Sequence, residues 1–281
     1  MKDKIKNCLK SINNWLKSAA GKISILLFLL SIVLLIIAFS PWGNFTERTA
    51  DNINNILFGI ATNLLGIIVT VSFVQYFIDK QGEQIERDKE WEKILLYNRT
   101  LKILLERYEL FHYNVVTPSE KFEASHPSLK CIFDFSDICD LYAPCRYIVD
   151  GIDESAIAVF YRSEEKVRDY MMRMLENIPF ENYKEIRNVI EKFIRLSYQS
   201  DVRGYILKEA SVKFSNEQEM SKLIRDEIKD KNTDWIKKVQ NSTTANLMGP
   251  YIELYFLLQD EANIIQTYRN LIENEIQKRK I

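Results

Sequence analysis

The sequence predicts an all-α protein: a two-helix transmembrane hairpin followed by a cytosolic multi-helix domain. Three observations predict it. Residues 23–42 and 55–78 contain no Asp, Glu, Lys or Arg, although 27% of the 281 residues are charged. From residue 79 onward, apolar residues recur at steps of three and four, the period of a helix face. Alternating strand patterns are scarce. Whole-chain averages hide this arrangement, because a mean hydropathy of −0.19 and a net charge of −1 describe an ordinary soluble protein.

Residues 1–22 carry six lysines against one acid, Asp3. Within them Ile5, Cys8, Leu9, Ile12, Trp15 and Leu16 fall on one arc of a helix over 2–17, with Lys6, Lys10 and Lys17 on the polar side. Such a segment suits a helix lying on anionic lipid with Trp15 at the interface. An ordinary basic flank explains the same lysines. The first span, residues 23–42, has the roughly 20 residues that cross about 30 Å of hydrocarbon. Pro41 stops it and Trp42 takes the interfacial aromatic position. A cleaved signal peptide is disfavoured, since the apolar run is long and no small-residue cleavage site follows. The loop 43–54 holds only Glu47, Arg48 and Asp51 as charges, and its sequon at Asn44 is read as chance.

The second span, residues 55–78, is long enough to cross with tilt and has Tyr76 near its end. Lys80, Arg87 and Lys89 follow it. Lysine on both outer flanks places both termini in the cytoplasm. The first span is almost purely aliphatic, whereas the second carries Gly59, Thr62, Asn63, Gly66 and Thr70. Thr62, Gly66 and Thr70 recur every four residues, which lets helix backbones approach closely, and an Asn in hydrocarbon seeks a hydrogen-bond partner. Two readings stand: packing inside the hairpin, or self-association with this stripe at a multimer interface or pore.

A charged helix leaves the membrane at residue 79. A heptad follows, with Ile94, Leu101, Tyr108 and Val115 at one position and Tyr97, Leu104 and Phe111 at the other. It is long enough for a coiled coil, but Leu95, Leu105 and Leu110 widen the stripe and favour packing within a domain. Residues 79–281 hold 31 basic and 36 acidic residues, a balance that disfavours nucleic acid as a direct partner. One helix runs from Ile157 to Ile178, with a gap in its apolar pattern at Glu164, and Pro179 ends it. Further helices carry Tyr183 to Ser197, Val202 to Ala210, and a short pair around Leu223 to Ile228 and Trp235–Ile236. Gly249-Pro250 opens the last helix, and residues 241–246 read as a linker. The stretch 117–151 is irregular, with three prolines.

Chemistry is sparse. The eight glycines are nowhere closer than seven residues apart, which excludes phosphate-cradling loops and a nucleophile elbow. Cys131, Cys139 and Cys145 lack zinc-ribbon spacing and read as buried thiols. Two histidines, His112 and His126, give a poor basis for catalysis or metal binding. Asp134, Asp137 and Asp140 step by three and read as a solvated or N-terminal helical face, with Arg146 and Arg162 as partners for such acids. A ligand pocket around Phe133, Phe135, Tyr142 and Tyr147 is conceivable. No catalytic residue, cofactor site or metal site is assigned, and the chain is not read as an enzyme.

The hairpin 23–78, its short outer loop and the charged helix leaving Val74–Lys80 resemble the small two-transmembrane effectors of bacterial anti-phage systems, of the kind paired with retrons or nucleotide-signalling modules. The likeness covers about a third of the chain. It implies a bacterial inner-membrane effector that multimerises through its second span and permeabilises or depolarises the membrane when a protein or nucleoprotein regulator triggers the cytosolic domain. The alternative is a membrane-anchored helical scaffold or signal-transducing module with no pore activity.

Overall fold

A computed structural model describes residues 19–39, 47–147, 154–199, 202–209, 220–240 and 248–280. The N-terminal amphipathic segment with Trp15, the interfacial Trp42, the sequon and the 241–246 linker lie outside the described residues. Among those described the fold is all-α. Helices α1 (Ala19–Ala38) and α2 (Glu47–Val115) come first. Then follow α3 (Ala156–Asn177), α4 (Lys184–Gln199), α5 (Arg203–Glu209), α6 (Met220–Lys229), α7 (Thr233–Gln240) and α8 (Gly249–Lys280). Two compact units divide the chain at Asp88–Lys89, ten residues beyond the end of the second apolar span.

In the first unit, α1 and the apolar part of α2 are long and apolar enough to cross a membrane. Their apolar side chains point outward: Leu26, Ile36, Val69 and Phe73 are each more than 60% exposed. A core helix of a soluble domain would bury these groups, and a continuous exposed apolar surface of this kind marks contact with lipid or protein. The predicted span, the charged segment after it and the heptad are a single element, the 69-residue α2. Proline is absent from it, so nothing interrupts its hydrogen-bond ladder.

The second unit is built on the last turns of α2. Ile94, Leu101, Tyr108 and Val115 are fully buried, and Leu105 and Phe111 nearly so. The heptad is therefore used inside the domain core, together with the inward faces of α3, α4 and α8. Helix α3 starts with a Ser155 cap on the Ala158 amide and ends at Ile178, as Pro179 requires. The turn that follows puts the buried Phe180 at φ 54°, a left-handed conformation uncommon for a bulky residue. Glu90 of α2 secures this corner by accepting from the Asn182 backbone amide at 3.1 Å and its side-chain amide at 2.8 Å.

The irregular stretch folds back antiparallel on the start of α3, with Cys145 N–H donating to Glu154 and Ala156 N–H to Ala143. It is stapled by Asp140, which is not on a solvated face as its spacing suggests. Its carboxylate is 2% exposed and accepts from the Ser119 amide at 2.7 Å and hydroxyl at 2.6 Å. Arg146 and Arg225 pair with it at 3.1 and 2.9 Å. Burial pushes this carboxyl up, but the Ser119 hydrogen bonds and the two guanidinium groups hold it below the usual range.

Leu101 and Ile103 test the assignment of the heptad, since they are two residues apart on α2 but 0% and 64% exposed. Leu101→Ala is expected to destabilise the domain by about 2–5 kcal/mol and Ile103→Ala by less than about 0.5 kcal/mol, read by urea unfolding of the detergent-solubilised chain. Equal losses would show that the stripe is not the core.

Candidate functional site

Two places concentrate polar groups in apolar surroundings. The first is on α2 in the first unit. Ser31 of α1 donates its hydroxyl to the Ala61 carbonyl at 2.9 Å, and both residues are fully buried. This contact fixes which face of α2 meets α1. At 100° per residue, Asn63 lies about 200° from Ala61, on the far side. Thr62, Asn63, Gly66 and Thr70 are all exposed. A methyl group added at Gly59 or Gly66 would touch nothing within 4 Å, so α1 is not what needs these glycines.

The polar groups on this face differ in one respect. The Thr62 hydroxyl donates to the Phe58 and Gly59 carbonyls, each at 3.0 Å, and Thr70 donates to Gly66 at 2.9 Å. Both hydroxyls are satisfied by their own helix. The Asn63 carboxamide makes no hydrogen bond among the described residues. The predicted interfacial Tyr76 is 60% exposed and packs edge-on against Phe77 at the polar end of the apolar stretch.

The second place is a charged network inside the helical domain. Glu164 on α3 is 2% exposed and accepts from Ser197 of α4 and Arg203 of α5, with Arg168 at 3.8 Å. Glu261 on α8 is fully buried and accepts from the Tyr108 hydroxyl of α2 at 2.7 Å. Its other oxygen has no partner among the described residues. Burial raises the carboxyls of both acids; the Glu164 charge pushes Glu261 up further, while Ser197, Arg203 and Arg168 pull Glu164 back. Tyr108 is raised by burial and then by Glu261. One turn further along α2, fully buried His112 stacks on Tyr108 and places Nε2 3.2 Å from the Leu258 carbonyl.

This network was missed from the sequence, although a signal existed. The gap at Glu164 in the α3 pattern is an inward position occupied by an acid, and Glu261 falls on the inward stripe between Leu258 and Ile265. The aromatic residues considered for a ligand pocket are packed against other rings. Phe133 meets Tyr255, Phe135 meets Trp235, Tyr142 meets Tyr251, and Tyr147 meets Phe122. Cys131, Cys139 and Cys145 are free thiols raised by burial. Among the described residues no group of three His, Cys, Asp or Glu side chains could hold a metal ion.

Burial brings His112 from 6.5 down to about 4, so the folded chain keeps it neutral. Its stabilising effect is complete above the unfolded value near 6.5 and is lost as pH falls toward 4, by roughly 3 kcal/mol in total. Glu261 acts with the opposite sign: its raised carboxyl favours the fold at low pH and weakens it as pH rises through the folded value. His112→Leu is therefore expected to flatten the loss of stability between pH 6.5 and 4.5, measured by denaturant midpoints of the full chain in detergent. An unchanged slope would show that His112 does not set this pH dependence.

No protein family model matches the chain, and neither the curated proteins nor the solved structures contain a match to it, so a reading of its function rests on the geometry of these two places.

Proposed function

We propose that the chain is an inner-membrane effector of bacterial anti-phage defence. It multimerises through α2 and permeabilises or depolarises the membrane when a regulator acts on its cytosolic domain. The lipid bilayer, further copies of the chain, and a protein or nucleoprotein regulator are its partners. Lysine on both flanks of the hairpin supports cytoplasmic termini.

The observation that carries this reading is the Asn63 carboxamide, which is exposed on an apolar helix, turned away from α1 and without a hydrogen bond among the described residues. A carboxamide offers both donor and acceptor, so the same residue on a second copy satisfies it. Gly59 and Gly66, with open space at their Cα hydrogens, allow the backbones to approach. The proposed role of Gly59, Thr62, Asn63, Gly66 and Thr70 is thus a copy-to-copy contact.

A second reading, an anchored scaffold or signal-transducing module, is favoured by the Thr62 and Thr70 hydroxyls. Because they are consumed within the helix, they offer little to a water-filled pore. Replacing residues 23–78 by an unrelated two-span hairpin separates the readings, since a scaffold keeps its activity and an effector loses it.

Asn63→Leu is expected to weaken self-association roughly 3- to 30-fold, from an interhelical hydrogen bond of about 0.6–2 kcal/mol, measured by crosslinking in membranes. Overproduced in a bacterial host, the wild type is expected to collapse membrane potential, and Asn63→Leu with Gly66→Leu to restore both potential and growth. Identical dye signals and growth from the two proteins would sink the effector reading.

A further inference from the structure

Helix α5 has only seven residues, well short of the length at which a helix is stable in water by itself. It is helical because of what it lies on. Val202 and Ile206 are buried beneath it, whereas Gly204, Tyr205 and Lys208 are exposed. Two of its polar attachments reach the domain beneath it. The Ile206 carbonyl accepts from the Tyr142 hydroxyl at 2.9 Å. The Arg203 guanidinium reaches from the rim to Glu164 and lies 4.9 Å from the centre of the Tyr161 ring.

The Arg203 contact differs in kind from the apolar ones. Glu164 is 2% exposed, and its charge pushes the buried Glu261 carboxyl up. Without Arg203 its remaining cation among the described residues is Arg168, at 3.8 Å, which is shared with Glu165 and Asp169 at 3.3 and 3.6 Å. Lifting α5 therefore strands a buried charge, which opposes gradual fraying and makes the helix either seated or released.

We propose that Arg203 and Glu164 form a latch that holds α5 as a releasable strap over the polar floor made by Glu164 and Ser197, and that release of the strap is the step by which the domain leaves its resting state. The second part rests on the effector reading above; the first does not.

Amide hydrogen exchange of the full chain in detergent tests the latch. Arg203→Ala is expected to accelerate exchange in 202–209 by about tenfold or more, with α3, α4 and α8 unchanged, and Arg203→Lys to restore most of the protection. Exchange that rises equally in α3, α4 and α8, or does not rise in α5, overturns the latch. The regulatory step is tested by membrane potential in cells. Arg203→Ala is expected to depolarise at an expression level at which the wild type does not. An opened α5 with no change in potential, in a host that overproduced wild type does depolarise, overturns the regulatory step. If the wild type never depolarises, the effector reading fails, and the exchange data still judge the latch.

Discussion

An α-helix closes its backbone hydrogen bonds within itself, so it can pass from hydrocarbon to water without changing its backbone. Helix α2 keeps one such ladder over 69 residues and is long and apolar enough to make that passage. Only the side-chain surface changes along it. In the first unit the apolar residues face outward, as Val69 at 68% and Phe73 at 63% exposure show. In the second unit the same kind of residue is internal, and Ile94 and Leu101 are fully buried. Sheet structure could not do this, because an open edge in hydrocarbon leaves backbone groups unpaired at several kcal/mol each. For a hairpin that spans a bilayer, that constraint favours helices over any open sheet.

Within the helical domain, aliphatic packing alone leaves an ambiguity. Leucine and isoleucine faces of neighbouring helices can slide by a turn at modest cost, since their contacts are non-directional. The buried polar groups remove that freedom. Tyr108–Glu261 and Tyr268–Asn98 fix α2 against α8 at two levels, with oxygen distances of 2.7 and 2.9 Å. Ser197–Glu164 fixes α4 against α3, and Glu90–Asn182 fixes the start of α4 against α2. Desolvating these groups is costly, and apolar substitutes of the same volume often stabilise a fold more. Their contribution here is register, together with the local hold on α5 that an apolar contact would not make directional.

Much of this was legible in the sequence where one residue type has one physical meaning. Uninterrupted apolar runs gave the two long exposed helices. Pro179 gave the end of α3, Gly249-Pro250 the start of α8, and the widened heptad its place in a domain core. What was least legible is which distant residues converge on a buried acid. Asp140 looks like one of three solvated acids until Ser119, Arg146 and Arg225 converge on it. Glu164 and Glu261 are 97 positions apart and nothing local pairs them. The face of α2 that carries Asn63 was legible as a pattern. Its orientation away from α1 was not, because that depends on the Ser31–Ala61 contact.

That contact also decides how the polar groups of the hairpin are shared. Ser31 uses a hydroxyl that α1 could have returned to its own backbone, and spends it instead on the neighbouring helix. Thr62 and Thr70 do the reverse. Asn63 can do neither as well: its planar amide has two donors and an acceptor, and no geometry within one helix satisfies all of them. Leaving an unpaired amide in hydrocarbon costs roughly 2–7 kcal/mol, and a lipid tail offers it nothing. Leucine at the same position would have no such cost and would serve an anchor equally well. The Asn is therefore hard to account for in a hairpin that only tethers a domain, and it is accounted for by the proposed second copy, which supplies the missing donor and acceptor across the Gly59–Gly66 face.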